Sequence, residues 1–141
     1  MAIKIIDPLE IAKTEKARTK VYNSRKAHAW VHYYPNPGDH DDLHCHNADQ
    51  LFICLEGECT MSFPDGGTAV LANGKAALIN GGSFYRLENT GTGPMIMIGY
   101  RTGSEDVCQT IDYATGERIV FDGSRRVVRN KYEDEAVQAA E

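Results

Sequence analysis

From Val21 onward, short runs rich in Val, Ile, Tyr and Phe alternate with turn residues: Pro35-Asn36-Pro37-Gly38, Glu56-Gly57, Pro64-Asp65-Gly66-Gly67, Asn73-Gly74, Asn80-Gly81-Gly82 and Asn89-Thr90-Gly91-Thr92-Gly93-Pro94. Apolar runs of this length, bounded by Gly, Pro and Asn, read as strands. The spacing predicts strands over 27–34, 43–46, 50–55, 58–63, 68–71, 76–79, 84–88, 95–101 and 107–111, with Asn73-Gly74 as a tight turn. Strands so short and numerous point to an all-β closed barrel or two-sheet jelly roll, which limits exposed edges. Ahead of them, residues 7–20 open with Asp7-Pro8, an N-cap followed by proline at the first helical position, and predict a short helix or ordered arm. After Gly123 the chain turns polar with mixed charge, a surface helix or a partly disordered tail. The expected organisation is an N-terminal arm over 1–20, one β domain over 21–122 and a polar tail over 123–141.

Composition narrows the class. With 141 residues, 42% of them hydrophobic, there is room for one domain, and its core needs no disulfide staples. A net charge of −5, with no basic run interleaved with aromatics, argues against a nucleic-acid partner and for a small molecule. The longest apolar run, Leu51-Phe52-Ile53-Cys54-Leu55, falls far short of the ~20 residues of a membrane span. The N-terminus lacks the apolar stretch of a signal peptide, so a cytoplasmic location and no membrane partner are expected. Cys45, Cys54, Cys59 and Cys108 form no CxxC pair and read as reduced thiols rather than a zinc site.

The five histidines carry the chemistry, since all of them lie between positions 28 and 46. His44 and His46 are one residue apart, and the period of a strand puts both imidazoles on one face with Cys45 on the other. Gln50, beyond the Asn47-Ala48-Asp49 turn, is placed to add an oxygen donor. Imidazoles converging in this way suit a divalent ion such as Zn, Fe, Mn or Ni.

The pattern Gly38-x5-His44-x-His46-x3-Gln50-x6-Gly57 resembles the first motif of the cupin superfamily. After 16 residues, Gly74-x5-Asn80-x-Gly82-x2-Tyr85-x3-Asn89 resembles the second. The resemblance implies a single-domain cupin β-barrel (a double-stranded β-helix, or jelly roll) that pairs as a homodimer. It further implies a divalent metal held by His44, His46, Gln50 and Tyr85. Two of these four depart from the family pattern, Gln50 standing where glutamate is usual and Tyr85 where the last histidine is usual, and Asn80 also replaces the motif proline. A phenol ligates a cation well only if the metal releases its proton.

Two functional readings follow. In one, the protein is a metal-dependent enzyme acting on a small oxygenated molecule by dioxygenase-, isomerase- or lyase-type chemistry, with Tyr85 as fourth ligand or as catalytic acid or base. In the other, the barrel binds or senses a small molecule without metal, His44 and His46 serve as polar pocket residues, and Tyr85 caps the pocket. A structural or storage role fits the polar strand face least.

The remaining candidates are read more plainly. His28, Trp30, His32 and Tyr34 share one strand face, for which an outer face or a dimer contact is preferred over the barrel interior. His40, within Asp39-His40-Asp41-Asp42, reads as a surface residue in a solvated loop. Phe52 and Cys54 share the face of Gln50 and line the cavity or fill the core. Arg86 and Arg101 are able to bind a substrate carboxylate, but a solvated reading is preferred for both.

Overall fold

Asp7 opens the chain's first regular element, because its carboxylate accepts the Glu10 N–H at 3.2 Å while Pro8 supplies a preset first helical residue. The helix, α1 (Pro8–Glu15), ends at Lys16 in the left-handed conformation. The computed structural model describes residues 3–120 and the backbone of 129–130. The expected tail over 123–141 therefore lies outside the described residues, apart from that backbone pair.

The strands are β1 (Thr19–Asn23), β2 (Ala27–Tyr34), β3 (Asp39–His40), β4 (His44–His46), β5 (Gln50–Glu56), β6 (Glu58–Ser62), β7 (Thr68–Ala72), β8 (Ala76–Ile79), β9 (Arg86–Asn89), β10 (Met95–Thr102), β11 (Thr110–Asp112), β12 (Arg118–Ile119) and β13 (Arg129–Asn130). One sheet runs β1-β2-β10-β5-β8 and a second β13-β3-β9-β6-β7, and all their pairings are antiparallel. A three-stranded sheet, β12-β11-β4, joins the second layer through the His44–Tyr85 bridge, where each backbone N–H meets the other's carbonyl at about 3 Å. The fold is all-β, as the turn pattern predicts. β1 starts within the expected arm, and a 3-10 turn at Glu105–Val107 precedes β11 where a strand over 107–111 was expected.

Both faces of β2 are covered, and this corrects the outer-face expectation for its His and aromatic residues. Trp30 and Tyr34 point inward and pack with Phe52, Cys54, Cys59, Met61, Leu71, Tyr85, Leu87, Met95 and Met97. The opposite phase, Val31 with Ile96, is buried against Ala12 of α1. With apolar residues in both phases, periodicity alone cannot choose the inner one. His28 is buried at the inner face, and His32 accepts the Trp30 indole N–H at 3.2 Å.

Two glycines are forced by close approach. Gly57, at the β5–β6 turn, has φ +83° and faces the Pro94 carbonyl, so any Cβ there would meet backbone. Gly99 of β10 lies across from Trp30 on one side and Phe52 on the other, and a Cβ at this position would enter the indole ring. The absence of a side chain at 99 leaves the space that the Trp30 indole occupies against β10. Gly99→Ala is expected to lower stability by about 1–3 kcal/mol through overpacking, read as a reduced urea midpoint at unchanged slope. An unchanged midpoint would mean that Trp30 is not held there.

Candidate functional site

The polar end of the barrel is built by register. Arg101 pairs directly with Gln50 across β10–β5 and with His28 across β10–β2. His46 pairs with Thr110 of β11, and His44 bridges Tyr85. The period of two brings His44 and His46 onto the inner face, their rings 4.8 Å apart and Tyr85 4.6 Å from His44.

Arg101 occupies the centre of this group. It is 8% exposed, its Nε donates to Gln50 Oε1 at 2.8 Å, and its Nη2 donates to His46 Nε2 at 2.9 Å. Its guanidinium lies 4.2 Å over the Trp30 ring, whose other neighbours include Arg18 at 4.8 Å and Phe52 edge-on. The preferred solvated reading of Arg101 is thus overturned. Arg86, in contrast, stays at the half-buried margin and pairs with Glu88 at 3.2 Å.

Arginine only donates, so these bonds fix a tautomer. His46 Nε2 must accept, which leaves the proton on Nδ1, 3.0 Å from Thr110 Oγ1. His44 Nδ1 lies 2.6 Å from the Asp42 carbonyl and donates its proton there. Asp41 stands 3.8 Å from the same Nδ1, and its other oxygen accepts the Leu87 N–H at 2.7 Å. His28, whose Nδ1 lies 2.9 Å from the Gly103 carbonyl, has its pKa lowered, first by burial and further by Arg101 and Arg18, against opposing effects of the Gly103 bond and Glu105.

Tyr85 is fully buried, and its hydroxyl completes no hydrogen bond although Gln50 and Arg101 face it. Burial is the main cause that pushes its pKa up to about 12; Asp41 adds to the rise, while Arg101 and Gln50 oppose it. The phenol therefore stays protonated at physiological pH and acts as a donor.

These residues do not fit a divalent ion. Of the four donors expected from the sequence, His46 Nε2 and Gln50 Oε1 already direct their lone pairs at a permanent cation. Among the described residues no group of three His, Cys, Asp or Glu side chains is arranged to hold a metal. The structure does bring His44, His46, Gln50 and Tyr85 together; the residue that sequence reasoning misjudged is Arg101.

His40 also departs from expectation. It is buried in β3 opposite Glu88, with Nδ1 2.7 Å from the Asp41 carbonyl. The acidic run around it is no solvated loop, because Asp39 accepts the Asn36 N–H and Asp41 the Leu87 N–H. The four cysteines are free thiols, as expected, and only Cys108 is not fully buried. A separate groove of about 400 Å³, lined by β7, β8 and residues such as Met61 and Phe63, is largely apolar and shares no residue with the polar cluster. No described helix is long and apolar enough to cross a membrane.

Residues 31–99 match the family model described as "Cupin domain". Several solved structures are similar. The TT1209 protein of Thermus thermophilus aligns at 22% identity with a TM-score of 0.60, over 72% of this chain and 98% of that one. An uncharacterized conserved protein with a double-stranded beta-helix domain from Klebsiella pneumoniae aligns at 17% and 0.64, over 75% and 95%. A cupin domain from Bordetella pertussis aligns at 17% and 0.54, over 62% and 92%. At these identities the likeness concerns the fold. No curated protein matches the sequence.

The raised Tyr85 pKa makes a pH prediction. The unfolded phenol ionises near pH 10, whereas the folded one holds its proton to about 12. Between these values the unfolded chain binds fewer protons, so stability falls as pH rises. In denaturant melts from pH 9 to 11, Tyr85 should contribute a downward slope approaching about 1.4 kcal/mol per pH unit, which Tyr85→Phe removes. Equal slopes in the two proteins would contradict the buried, protonated phenol.

Proposed function

This chain belongs to the cupin superfamily, and from that premise we propose that it is a small-molecule-binding domain whose barrel interior recognises its ligand through Arg101 in place of a metal ion. The supporting observation is the pair of hydrogen bonds from Arg101 to Gln50 Oε1 and His46 Nε2, two of the donor atoms the family pattern assigns to a metal. A guanidinium keeps its charge at every accessible pH, and next to these atoms it both satisfies them and repels a second cation.

In this role each side chain has a defined task. Arg101 supplies the charge, His46 and Gln50 orient its fork, Trp30 supports it from one side, and Tyr85 offers a hydroxyl proton. The Nδ1–H of His44 is held by the Asp42 carbonyl, with the imidazole ring 4.6 Å from that of Tyr85. Tyr85 can also serve as a proton donor to a bound substrate, the part of the enzymatic reading that needs no metal.

One observation favours the metal-dependent reading: His44, with Nδ1 donating to a backbone carbonyl, has the orientation that second-shell bonds impose on metal-ligating imidazoles. For that reading Arg101 must first leave His46 and Gln50.

Metal uptake separates the two. After incubation with Fe(II), Mn(II), Ni(II) or Zn(II) and desalting, the wild-type protein is expected to retain far less than one equivalent of each, by elemental analysis. Arg101→Ala is expected to retain more, since it frees His46 and Gln50. Stoichiometric retention by the wild type, lost in His44→Ala/His46→Ala, would overturn the metal-independent reading.

A further inference from the structure

Among the described residues, Arg101 is a buried cation without a counter-ion. Its two hydrogen-bond acceptors, Gln50 and a neutral His46, carry no charge, and its aromatic support is Trp30. Among the described residues no carboxylate forms an ion pair with it. The charged groups nearby are otherwise engaged: Asp41 accepts from Leu87 and faces His44, Glu105 pairs with Lys20, and Arg18 adds positive charge over the same indole. Removing an ion from water without a paired charge is costly unless something supplies the opposite sign.

The cluster also holds unused donors. Arg101 Nη1 donates no hydrogen bond among the described residues, and neither does the Gln50 amide nitrogen. The Tyr85 hydroxyl, fully buried, has no hydrogen-bond partner and faces Arg101 and Gln50. A single positive charge, a guanidinium nitrogen with no hydrogen bond among the described residues and a nearby hydroxyl proton are complementary to one planar anion bearing two oxygens. Phe52 packs edge-on against both Trp30 and Tyr85 beside this group, so its surroundings are aromatic.

Resting on the metal-independent reading above, we propose that this cluster is a recognition site for a small monocarboxylate, paired with Arg101 and receiving a hydrogen bond from Tyr85. The carboxylate neutralises the buried guanidinium and satisfies the hydroxyl that the protein leaves open. A polyvalent anion such as phosphate leaves excess negative charge on one arginine and is disfavoured.

The test is calorimetric titration of the full chain in EDTA with acetate, pyruvate, lactate and benzoate, each against its primary amide, and with inorganic phosphate. At least one carboxylate is expected to bind, with its amide about tenfold weaker or worse. Arg101→Met and Tyr85→Phe are expected to weaken that carboxylate, the first by more than about tenfold, and Arg101→Lys to retain part of the affinity. Should Arg101→Met fail to fold, the amide comparison with Arg101→Lys and Tyr85→Phe carries the test. Equal binding of acid and amide, phosphate binding alone, indifference to the Arg101 variants, or no binding by any carboxylate each overturns the proposal. Stoichiometric metal retention by the wild type is a separate result that overturns the metal-independent reading itself.

Discussion

A guanidinium withdrawn from water must put its donors onto acceptors, and the polar end of this barrel is organised by how Arg101 meets that requirement. Its Nε and Nη2 take Gln50 and His46, which fixes the His46 tautomer and sends that imidazole's remaining proton toward Thr110 of β11. The arrangement needs β10 and β5 in the register that sets Arg101 opposite Gln50. It needs the indole of Trp30 beneath the cation, and that in turn needs no side chain at Gly99. A slip of one residue along β10 would turn Arg101 to the other face of the sheet, against the surface that α1 covers. One interaction therefore draws together β2, β4, β5, β10 and β11.

The remainder of the interior is apolar and continuous, from Trp30 and Phe52 through Met61 and Leu71 to Met95 and Met97. The cluster around Arg101 lies at one end of this interior, and most buried polar side chains are hydrogen-bonded, as burial demands. The two sequence motifs meet physically at the Gly38 N–H, which donates to the Asn89 carbonyl at 2.8 Å, and at the His44–Tyr85 bridge. The Asn89 side chain holds the neighbouring turn by donating to the Tyr34 and Gly93 carbonyls and accepting the Gly91 N–H. Tyr85, whose buried hydroxyl meets no hydrogen-bond partner among the described residues, stands where the two motifs converge, and an unsatisfied buried donor is where function is expected to lie.

Much of this was legible in the chain. Gly, Pro and Asn punctuation located most strands, Asp7-Pro8 located α1, and strand periodicity put His44 and His46 on one face. Arg101 was not legible, because β10 carries apolar residues in both phases: Met95, Met97 and Gly99 lead to Arg101 on one face, while Ile96 and Ile98 pack on the other. When both faces of a strand are covered, alternation holds no record of which is inner. The one available signal was Gly99, a residue without a side chain in a strand of large ones, which marks close approach by a neighbour. His40 was hidden differently. An acidic tetrapeptide reads as solvated, but Asp39 and Asp41 use their carboxylates to cap backbone N–H groups and are buried in doing so.

The departures at Gln50 and Tyr85 from the family motif take on a common meaning beside Arg101. A glutamate at position 50 would lie against the guanidinium as an internal counter-ion, cancelling its charge toward any ligand. Glutamine keeps the accepting oxygen and leaves the charge uncompensated. A histidine at position 85 would offer a lone pair and a proton that comes and goes near neutral pH. Tyrosine, its pKa pushed up to about 12, offers a proton that stays. Gln50 and Tyr85 look like losses when judged as metal ligands. With a cation already built into the chain, both fit the carboxylate site proposed above, which calls for neutral acceptors to hold its arginine and a permanent donor beside it.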